Sequence, residues 1–291
     1  MQRKACRAAL KTMICLGAVA GLFCTPARAQ KPMVESVLDG SFRLMYNLQF
    51  DQALRSVEYA KSLDAADPLP WVAQACAVLF REFDRLHILR SDVFVSDDAF
   101  SSRPAYSWAP DHKKQFDEAA AGAEKIAQER LARDKRDAKA LFTLSLVSGL
   151  RGDDSAMITK HNLKALSYIK TATGYSEKLL AISPDYYDAY VGTGLAKYMV
   201  GAKPAPVRWI LRIGGIQGDQ ETGLKELTLA AEHGRYLAPF ARIVLAFDEM
   251  KHNKMDNARK KLALLHEQFP GNSLFVEEMG KCGAPRPESG P

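Results

Sequence analysis

Glycine-rich loops are the first candidates for chemistry, because some of them hold phosphate groups. The segment VRWILRIGGIQGDQETGLKEL, residues 207–227, contains the run GGIQGD. A Walker-type loop needs Lys and then Ser or Thr after its glycines, whereas Asp219 follows here. A dinucleotide loop follows a strand, and the residues before Gly214 have a helical pattern. The run therefore predicts a bend, after which Asp219 caps the next helix.

A second candidate is the polar and aromatic stretch SDVFVSDDAFSSRPAYSWAPDHKK, residues 91–114. It contains Asp97, Asp98, Asp111 and His112, residue types that bind metal ions when they converge. Two adjacent aspartates and a distant histidine do not specify such a site. The stretch instead predicts a solvated loop that folds over a groove. Three aromatic residues of this loop are expected to contact the fold or a ligand: Phe94, Tyr106 and Trp108.

Patterns typical of hydrolases are absent from the sequence. It contains no GxSxG elbow, and HEQFP at residues 266–270 lacks the second histidine of HExxH. The histidines do not pair at ligand spacing. The dense run DYYDAY, residues 185–190, is interpreted as a turn in which Asp185 caps a helix and the tyrosines pack. The sequence therefore predicts no enzyme, no metal site and no cofactor.

The first 29 residues predict a secretory signal rather than a part of the fold. A basic start, MQRKACRAALK, precedes a short apolar core, TMICLGAVAGLFC, and the small-x-small exit at residues 27–29. This order predicts cleavage after Ala29. Residues 30–280 are then the folded domain and residues 281–291 a disordered tail. The mature protein is expected in the periplasm or outside the cell.

The net charge argues against a nucleic-acid-binding protein. The chain has 40 Lys and Arg against 34 Asp and Glu, and the predicted signal holds five of the cations and no acid. Without the signal, the balance of 35 against 34 leaves no basic field to attract a polyanion. Cys76 and Cys282 also remain, and two cysteines are too few for a disulfide framework.

Apolar residues recur at spacings of three and four through most of the chain, which predicts an all-α fold. Pro, Gly, Asn and Asp interrupt the pattern at short intervals, so the helices are short and form hairpins. One pattern recurs at offsets 0, 4 and 7. Its four copies are Ala53-Val57-Ala60, Ala172-Ser176-Leu179, Gly223-Leu227-Ala230 and Ala258-Leu262-Leu265. Small residues at these offsets allow antiparallel helices to cross closely.

This pattern resembles the second helix of tetratricopeptide repeat (TPR) proteins. Tyr190 with Gly194 resembles the aromatic and small pair of their first helix. The resemblance implies a helical-hairpin repeat solenoid of about four repeats over residues 33–280, with a concave groove lined by first helices. Because Gly194 and Gly223 are 29 residues apart, against 12 for Ala246 and Ala258, a segment at about 203–219 is inserted in that hairpin.

Around the insertion, residues 187–275 resemble more loosely the eukaryotic TPR proteins implicated in clearing lipid-associated inclusions. In that family an apolar helix, a glycine bend and Gly-Asp precede a "GL..L..A" helix. The corresponding residues here are Trp209, Ile210, Leu211, Gly214, Gly218, Asp219, Gly223 and Leu224. The resemblance implies an adaptor and carries over no catalytic residue.

The sequence thus predicts an exported, non-enzymatic scaffold that binds a protein or peptide partner in its groove. The residues expected to contact the partner are Tyr187, Tyr190, Lys197, Arg242, Glu249, Trp108, Arg208 and Trp209.

The rival function is a carrier of a lipid or a small hydrophobic ligand, with residues 204–213 and 94–108 closing over an apolar cavity. Residues 204–213 also predict a short amphipathic helix with arginines on one face, which favours contact with lipid or a membrane surface. The positions of Trp108, Trp209 and Ile210 separate the two functions, because a scaffold would bury them in its own core.

Overall fold

The computed structural model of the protein describes residues 27–95, 102–202 and 218–283. Within these ranges the chain forms α-helices and no strand, which confirms the predicted all-α fold. The helices are α1 Ala27–Tyr46, α2 Phe50–Leu63, α3 Pro68–Arg85, α4 Pro110–Arg133, α5 Ala138–Asp153, α6 Asn162–Ile182, α7 Ala189–Gly201, α8 Gln220–His233, α9 Ala238–Lys251, α10 Met255–Gln268 and α11 Ser273–Lys281. A 3-10 turn, Ser91–Val93, follows α3, and a π turn, Asp154–Ile158, follows α5.

Consecutive helices pack as antiparallel hairpins, α1–α2, α3–α4, α5–α6, α7–α8 and α9–α10, and α11 covers the last of them. The sequence predicted about four repeats, and the described residues form five. None of the helices in the described ranges is long and apolar enough to cross a membrane.

A small residue marks the helix crossing in every hairpin. Eleven residues before the C-cap of each second helix stands a buried alanine or glycine, here called the crossing residue: Ala53, Ala123, Ala172, Gly223 and Ala258. In the fourth hairpin a Cβ on Gly223 would lie 2.5 Å from the backbone nitrogen of Tyr198 and 2.7 Å from the carbonyl oxygen of Gly194. Two glycines therefore let α7 and α8 cross with their backbones in contact, as the predicted offsets require.

The second hairpin, α3–α4, escaped the sequence pattern for a local reason. The third position of its repeat, seven residues after Ala123, is Arg130 rather than an apolar residue. Arg130 extends to the turn after α4, where its guanidinium contacts the carboxylate of Asp137 at 2.8 Å. A charged side chain at this position broke the small and apolar pattern without breaking the hairpin.

Contacts of the first two hairpins with the chain around the last hairpin close the array on itself. The ring of Phe42 lies 4.9 Å from that of Tyr236, Tyr46 lies 5.2 Å from Phe269, and the rings of Phe80 and Phe240 meet edge to face at 6.3 Å. In an open solenoid each repeat touches only its neighbours. Here aromatic side chains of distant hairpins fill the space that an open array would leave as a groove.

Polar contacts complete this closure, which we call the joint. Arg235, before α9, pairs with Glu35 at 2.7 Å and Asp39 at 2.8 Å, both on α1. At the end of α1, the Asn47 side chain accepts from the Gly271 amide at 2.9 Å, and the Asn272 side chain donates to the Tyr46 carbonyl at 3.0 Å.

The chain after α3 forms the other half of the joint. The buried carboxylate of Glu278, on α11, accepts hydrogen bonds from the amide and the hydroxyl of Ser91. Lys281 contacts Asp92 at 2.7 Å, and Arg90 contacts Glu277 at 3.2 Å. The turn after α3 is thereby tied to the last helix of the array.

Candidate functional site

The charged residues expected in the groove instead contact second helices, of their own hairpin or of the preceding one. Lys197, on α7, pairs with Glu226 on α8. Arg242, on α9, donates to the Ala231 carbonyl at 2.9 Å and to Gln268 at 3.0 Å. Glu249 contacts Lys261 at 3.2 Å and Lys254 at 3.6 Å. All three side chains therefore extend from a first helix to a second helix rather than into a groove. Their role toward a partner stays a prediction.

Tyr187 and Tyr190 lie half-buried around the start of α7, with ring centroids 6.4 Å apart. The Tyr187 ring is also 4.8 Å from the ring of His233, and the Tyr190 hydroxyl donates to the Pro184 carbonyl at 3.2 Å. The tyrosines pack as the turn interpretation predicted. Their role toward a partner also stays a prediction.

Asp185 does not cap α7: Asp188 stands at the N-cap position, and its buried carboxylate makes no capping hydrogen bond to α7. It accepts from the amides of Arg235, Tyr236 and Leu237, the last at 2.8 Å. Burial raises the pKa of Asp188, and these hydrogen bonds oppose the rise. The carboxylate thus fixes the turn that presents Arg235 and Tyr236 to α1.

The two ends of the hairpin array differ in their connections. At one end, here the turn end, residues 64–67, 134–137, 183–188, 234–237 and 269–272 link each hairpin to the next helix in four to six residues. At the opposite end, here the loop end, the first and fifth hairpins turn in three residues, whereas the middle three use the longer connections 86–109, 154–161 and 202–219. Long loops on a rigid scaffold are common sites of recognition.

The second and third hairpins also project at the loop end. Helices α2, α8 and α10 begin three residues before their crossing residue, whereas α6 begins ten and α4 thirteen residues before it. At 1.5 Å per residue, the added turns extend these two helices by about 10 and about 15 Å. We call this projection the tip, residues 102–113 and 154–168.

Hydrogen bonds join the two segments of the tip to each other. The indole of Trp108 donates to Asp154 at 2.7 Å and stacks on Phe116 with centroids 5.3 Å apart. The Tyr106 amide donates to the Ile158 carbonyl at 2.8 Å, and Lys160 donates to the Arg103 carbonyl at 2.6 Å. Trp108 is thus half-buried against the fold, and its role toward a partner stays a prediction.

A buried carboxylate at the base of the tip accounts for His112, which sequence analysis considered as a metal ligand. Glu82 accepts from Arg85 at 2.6 Å, from the Ala109 amide at 2.8 Å and faces His112 Nδ1 at 2.7 Å. Burial raises its pKa, and the hydrogen bonds from Arg85, His112 and Ala109 more than offset this, so the pKa lies below its usual value. In the described part of the chain, no group of three or more His, Cys, Asp and Glu is placed to hold a metal ion.

Exposed leucines identify two surfaces away from the interior. Leu163, on the tip, is 86% exposed, more than any other large apolar side chain among the described residues. The other surface lies on the second helices, six residues after the crossing residue, where Leu229 of α8 is 36% and Leu264 of α10 is 63% exposed. The third and second hairpins have Lys178 and Glu129 at this position.

On α8, Leu229 borders a shallow, open depression lined by Glu221, Leu224, Lys225 and Thr228. We call Leu224, Leu229 and Leu264 the outer leucine face. The repeat pattern did not indicate this face. Its offsets 0, 4 and 7 mark residues that face the partner helix, whereas Leu229 and Leu264 lie at offset 6 from the crossing residue.

The predicted partner residues Arg208 and Trp209, with all of residues 204–213, lie outside the described residues. The residues that flank them are described. Asp219 caps α8 as predicted, accepting from the amides of Glu221 at 3.1 Å and Thr222 at 3.2 Å. A Cβ on Gly201 would lie 2.3 Å from the Gln220 amide nitrogen, so the end of α7 and the start of α8 touch at the loop end.

Comparison with known proteins shows a likeness of fold. The structure is similar to the crystal structure of a thermophilic TPR protein from Thermus thermophilus, with a TM-score of 0.43 and 15% sequence identity, over 86% of this chain and 98% of that one. No protein-family model matches the sequence, and no curated protein matches it. The helical-hairpin architecture therefore stands on the helices and crossings described above, and the likeness carries no argument about function.

Proposed function

We propose that the protein is an exported, non-enzymatic TPR-like scaffold that binds a protein partner on its outer leucine face. The observation that carries this proposal is the exposure of Leu229 and Leu264 at the same repeat position of successive second helices. Exposed apolar side chains that recur on one face of a soluble protein are typical of interaction sites.

The closed interior supports the outer face as the binding surface. A partner that entered the groove would have to displace the aromatic contacts of Phe42, Phe80 and Phe240 and the ion pairs of the joint. A partner on the outer face displaces only water. The recurring leucines fit a helix with an apolar stripe, and the exposed Glu221–Lys225 pair at 2.7 Å forms a polar rim on α8.

Export rests on the predicted signal in residues 1–29, and the adaptor role implied by the loose eukaryotic resemblance belongs to this proposal as well. The rival carrier has less support. Its cavity would need Trp108 at a ligand, but this side chain packs on Phe116 and bonds to Asp154. A carrier function now rests on the sequence of residues 204–213 alone.

Site-specific photo-cross-linking in the envelope fraction tests this function. A photoreactive phenylalanine analogue would replace Leu229 or Leu264 in the full chain, and Glu129 or Lys178 in two controls at the equivalent position. We expect the two leucine positions to capture the same protein and the controls to capture none. Equal labelling at all four positions, or no protein at either leucine, would overturn the outer leucine face.

Native mass spectrometry of the mature chain, purified gently from the same fraction, tests the rival. A persistent adduct of lipid or metabolite size would favour the carrier, whereas a bound polypeptide supports the scaffold.

A further inference from the structure

Leu163, the most exposed large apolar side chain of the described residues, lies on the tip. Leu163 is the second residue of α6, in the part of that helix that extends beyond its shorter counterparts. Hydrogen bonds from Tyr106 and Trp108 to Ile158 and Asp154 join the two segments of the tip. The leucine is therefore presented outward on a rigid base.

Along the sequence around Leu163 the charged side chains are all basic, and the acids of the tip, Asp111 and Asp154, lie outside this stretch. From Ser155 to Ser176 the chain contains Lys160, Lys164, Lys170 and His161 and no Asp or Glu. No side chain caps the N-terminus of α6, so the positive end of the helix dipole adds to the same field. The exposed face of this helical segment contains Leu163, Lys164, Ser167 and Lys170.

From this combination we propose that the tip rests on an anionic lipid surface, with Leu163 entering the headgroup region and the exposed Lys164 and Lys170 facing the lipid phosphates. A convex tip with one projecting leucine fits a surface that deforms around it, whereas a peptide partner needs a groove. Lysines near an anionic membrane each add to binding, and salt weakens their contribution.

The helix ends that flank residues 203–217 lie at the same end of the molecule as the tip. The chain leaves α7 at Ala202 and returns at Gly218, and both residues lie at the loop end, as does the N-terminal part of α6. The sequence of residues 204–213 independently predicts lipid contact. The proposal concerns the tip itself and is tested separately from that segment.

Flotation with vesicles tests the proposal on the mature chain. The probes are vesicles of phosphatidylglycerol and phosphatidylcholine in equal parts and vesicles of phosphatidylcholine alone, at low and high salt. We expect binding to the anionic vesicles that high salt weakens. Leu163→Gln should weaken it about tenfold, and Lys164→Gln and Lys170→Gln about fivefold each.

Matched controls separate the tip from other surfaces. Leu264→Gln, on the outer leucine face, should leave vesicle binding unchanged and reduce partner cross-linking from a probe at position 229. Leu163→Gln should weaken vesicle binding and leave this cross-linking unchanged. Thermal melting confirms that these exposed substitutions keep the fold. No binding of the native chain to anionic vesicles overturns the proposal, and so does binding that Trp209→Ser abolishes while Leu163→Gln does not. If Leu163→Gln abolishes a protein cross-link instead, the tip binds an acidic protein, and the lipid surface is wrong.

Discussion

Two kinds of contact hold the array together, and they are built from different residues. Seams are the contacts between the two helices of a hairpin, and the joint connects the first two hairpins with the last hairpin and α11. In the seams, small residues such as Gly194 and Gly223 bring backbones together, and little polar chemistry is needed. In the joint, Arg235 pairs with Glu35 and Asp39, and Glu278 holds Ser91, beside aromatic contacts. The seams make each hairpin, whereas the joint decides whether the array is an open groove or a closed body.

The difference has a consequence for cooperativity. An array held only by its seams unfolds repeat by repeat, since each hairpin depends on its neighbours. A joint that links hairpins one and two to hairpin five and α11 couples the two ends. Damage at the joint should therefore destabilise α1 and α11 together, although they are far apart in sequence.

The largest expected effect is on a seam. Gly223→Ala places a methyl group 2.5 Å from the Tyr198 nitrogen, where only backbone movement relieves the clash. We expect a loss of about 3 kcal/mol in the free energy of unfolding, measured with urea. The control is Gly174→Ala in α6, where a Cβ meets nothing within 4 Å. Helix propensity should make that variant more stable by about 0.7 kcal/mol. Equal effects would show that the α7–α8 crossing is not tight.

Next in size is a change at the joint. Glu278→Ala leaves the amide and hydroxyl of buried Ser91 without their acceptor, which should cost about 2 kcal/mol. Its neighbour Glu277, half exposed and paired with Arg90, provides the control. Glu277→Ala should cost less than about 0.5 kcal/mol. Hydrogen exchange on Glu278→Ala should rise in α1 as well as in α11, and a rise confined to α11 would argue against end-to-end coupling.

A half-buried carboxyl makes stability depend on pH. Burial raises the pKa of Asp153 to about 7, and repulsion from Asp154 adds to the rise. Between about pH 4 and 7 the folded state therefore holds a proton that the unfolded state has lost, so stability falls as pH rises through this window. Asp153→Asn should remove this slope and stabilise the protein by about 2 kcal/mol at pH 8, since partial solvent contact screens part of the effect. If urea titrations of Asp153→Asn gave the same dependence of the free energy of unfolding on pH as the native chain, another group would hold the proton.

The smallest effect concerns the turns at the loop end. Leu48, His87 and Asn253 follow α1, α3 and α9 in the left-handed region, with φ of 60°, 57° and 59°. His87→Gly should stabilise the protein by about 1 kcal/mol, because glycine adopts this conformation without strain. Asn253→Gly should gain less, since the short polar side chain of asparagine can hydrogen-bond locally in this conformation. Equal gains, measured by thermal unfolding, would contradict this account of the turns.

Sequence reasoning reached the repeats because they are periodic. The offsets around Ala53, Ala172, Gly223 and Ala258 follow from how two helices cross, and the fold obeys them. The second hairpin was missed because Arg130 interrupts the same pattern.

The joint was beyond sequence reasoning for a physical reason. Arg235 meets Asp39 across 196 residues, and no local period encodes such a contact. The first helices did contain a usable signal, because Phe42, Phe80 and Phe240 are large apolar residues on faces that an open groove would expose to water. Leu163 and Leu264 had no signal at all, since a leucine on a helix is expected to be buried.

Closure of the array is tested most directly by cross-linking the two sides of the joint. Asp39 and Arg235 would each be replaced by cysteine, with Cys76 and Cys282 replaced by serine, and the mature chain treated with a short bismaleimide. The closed array predicts an internally linked monomer in high yield, found by mass spectrometry of the joined peptides. Monomers that carry two separate adducts and no internal link would show that the ends are apart and that the array is an open solenoid.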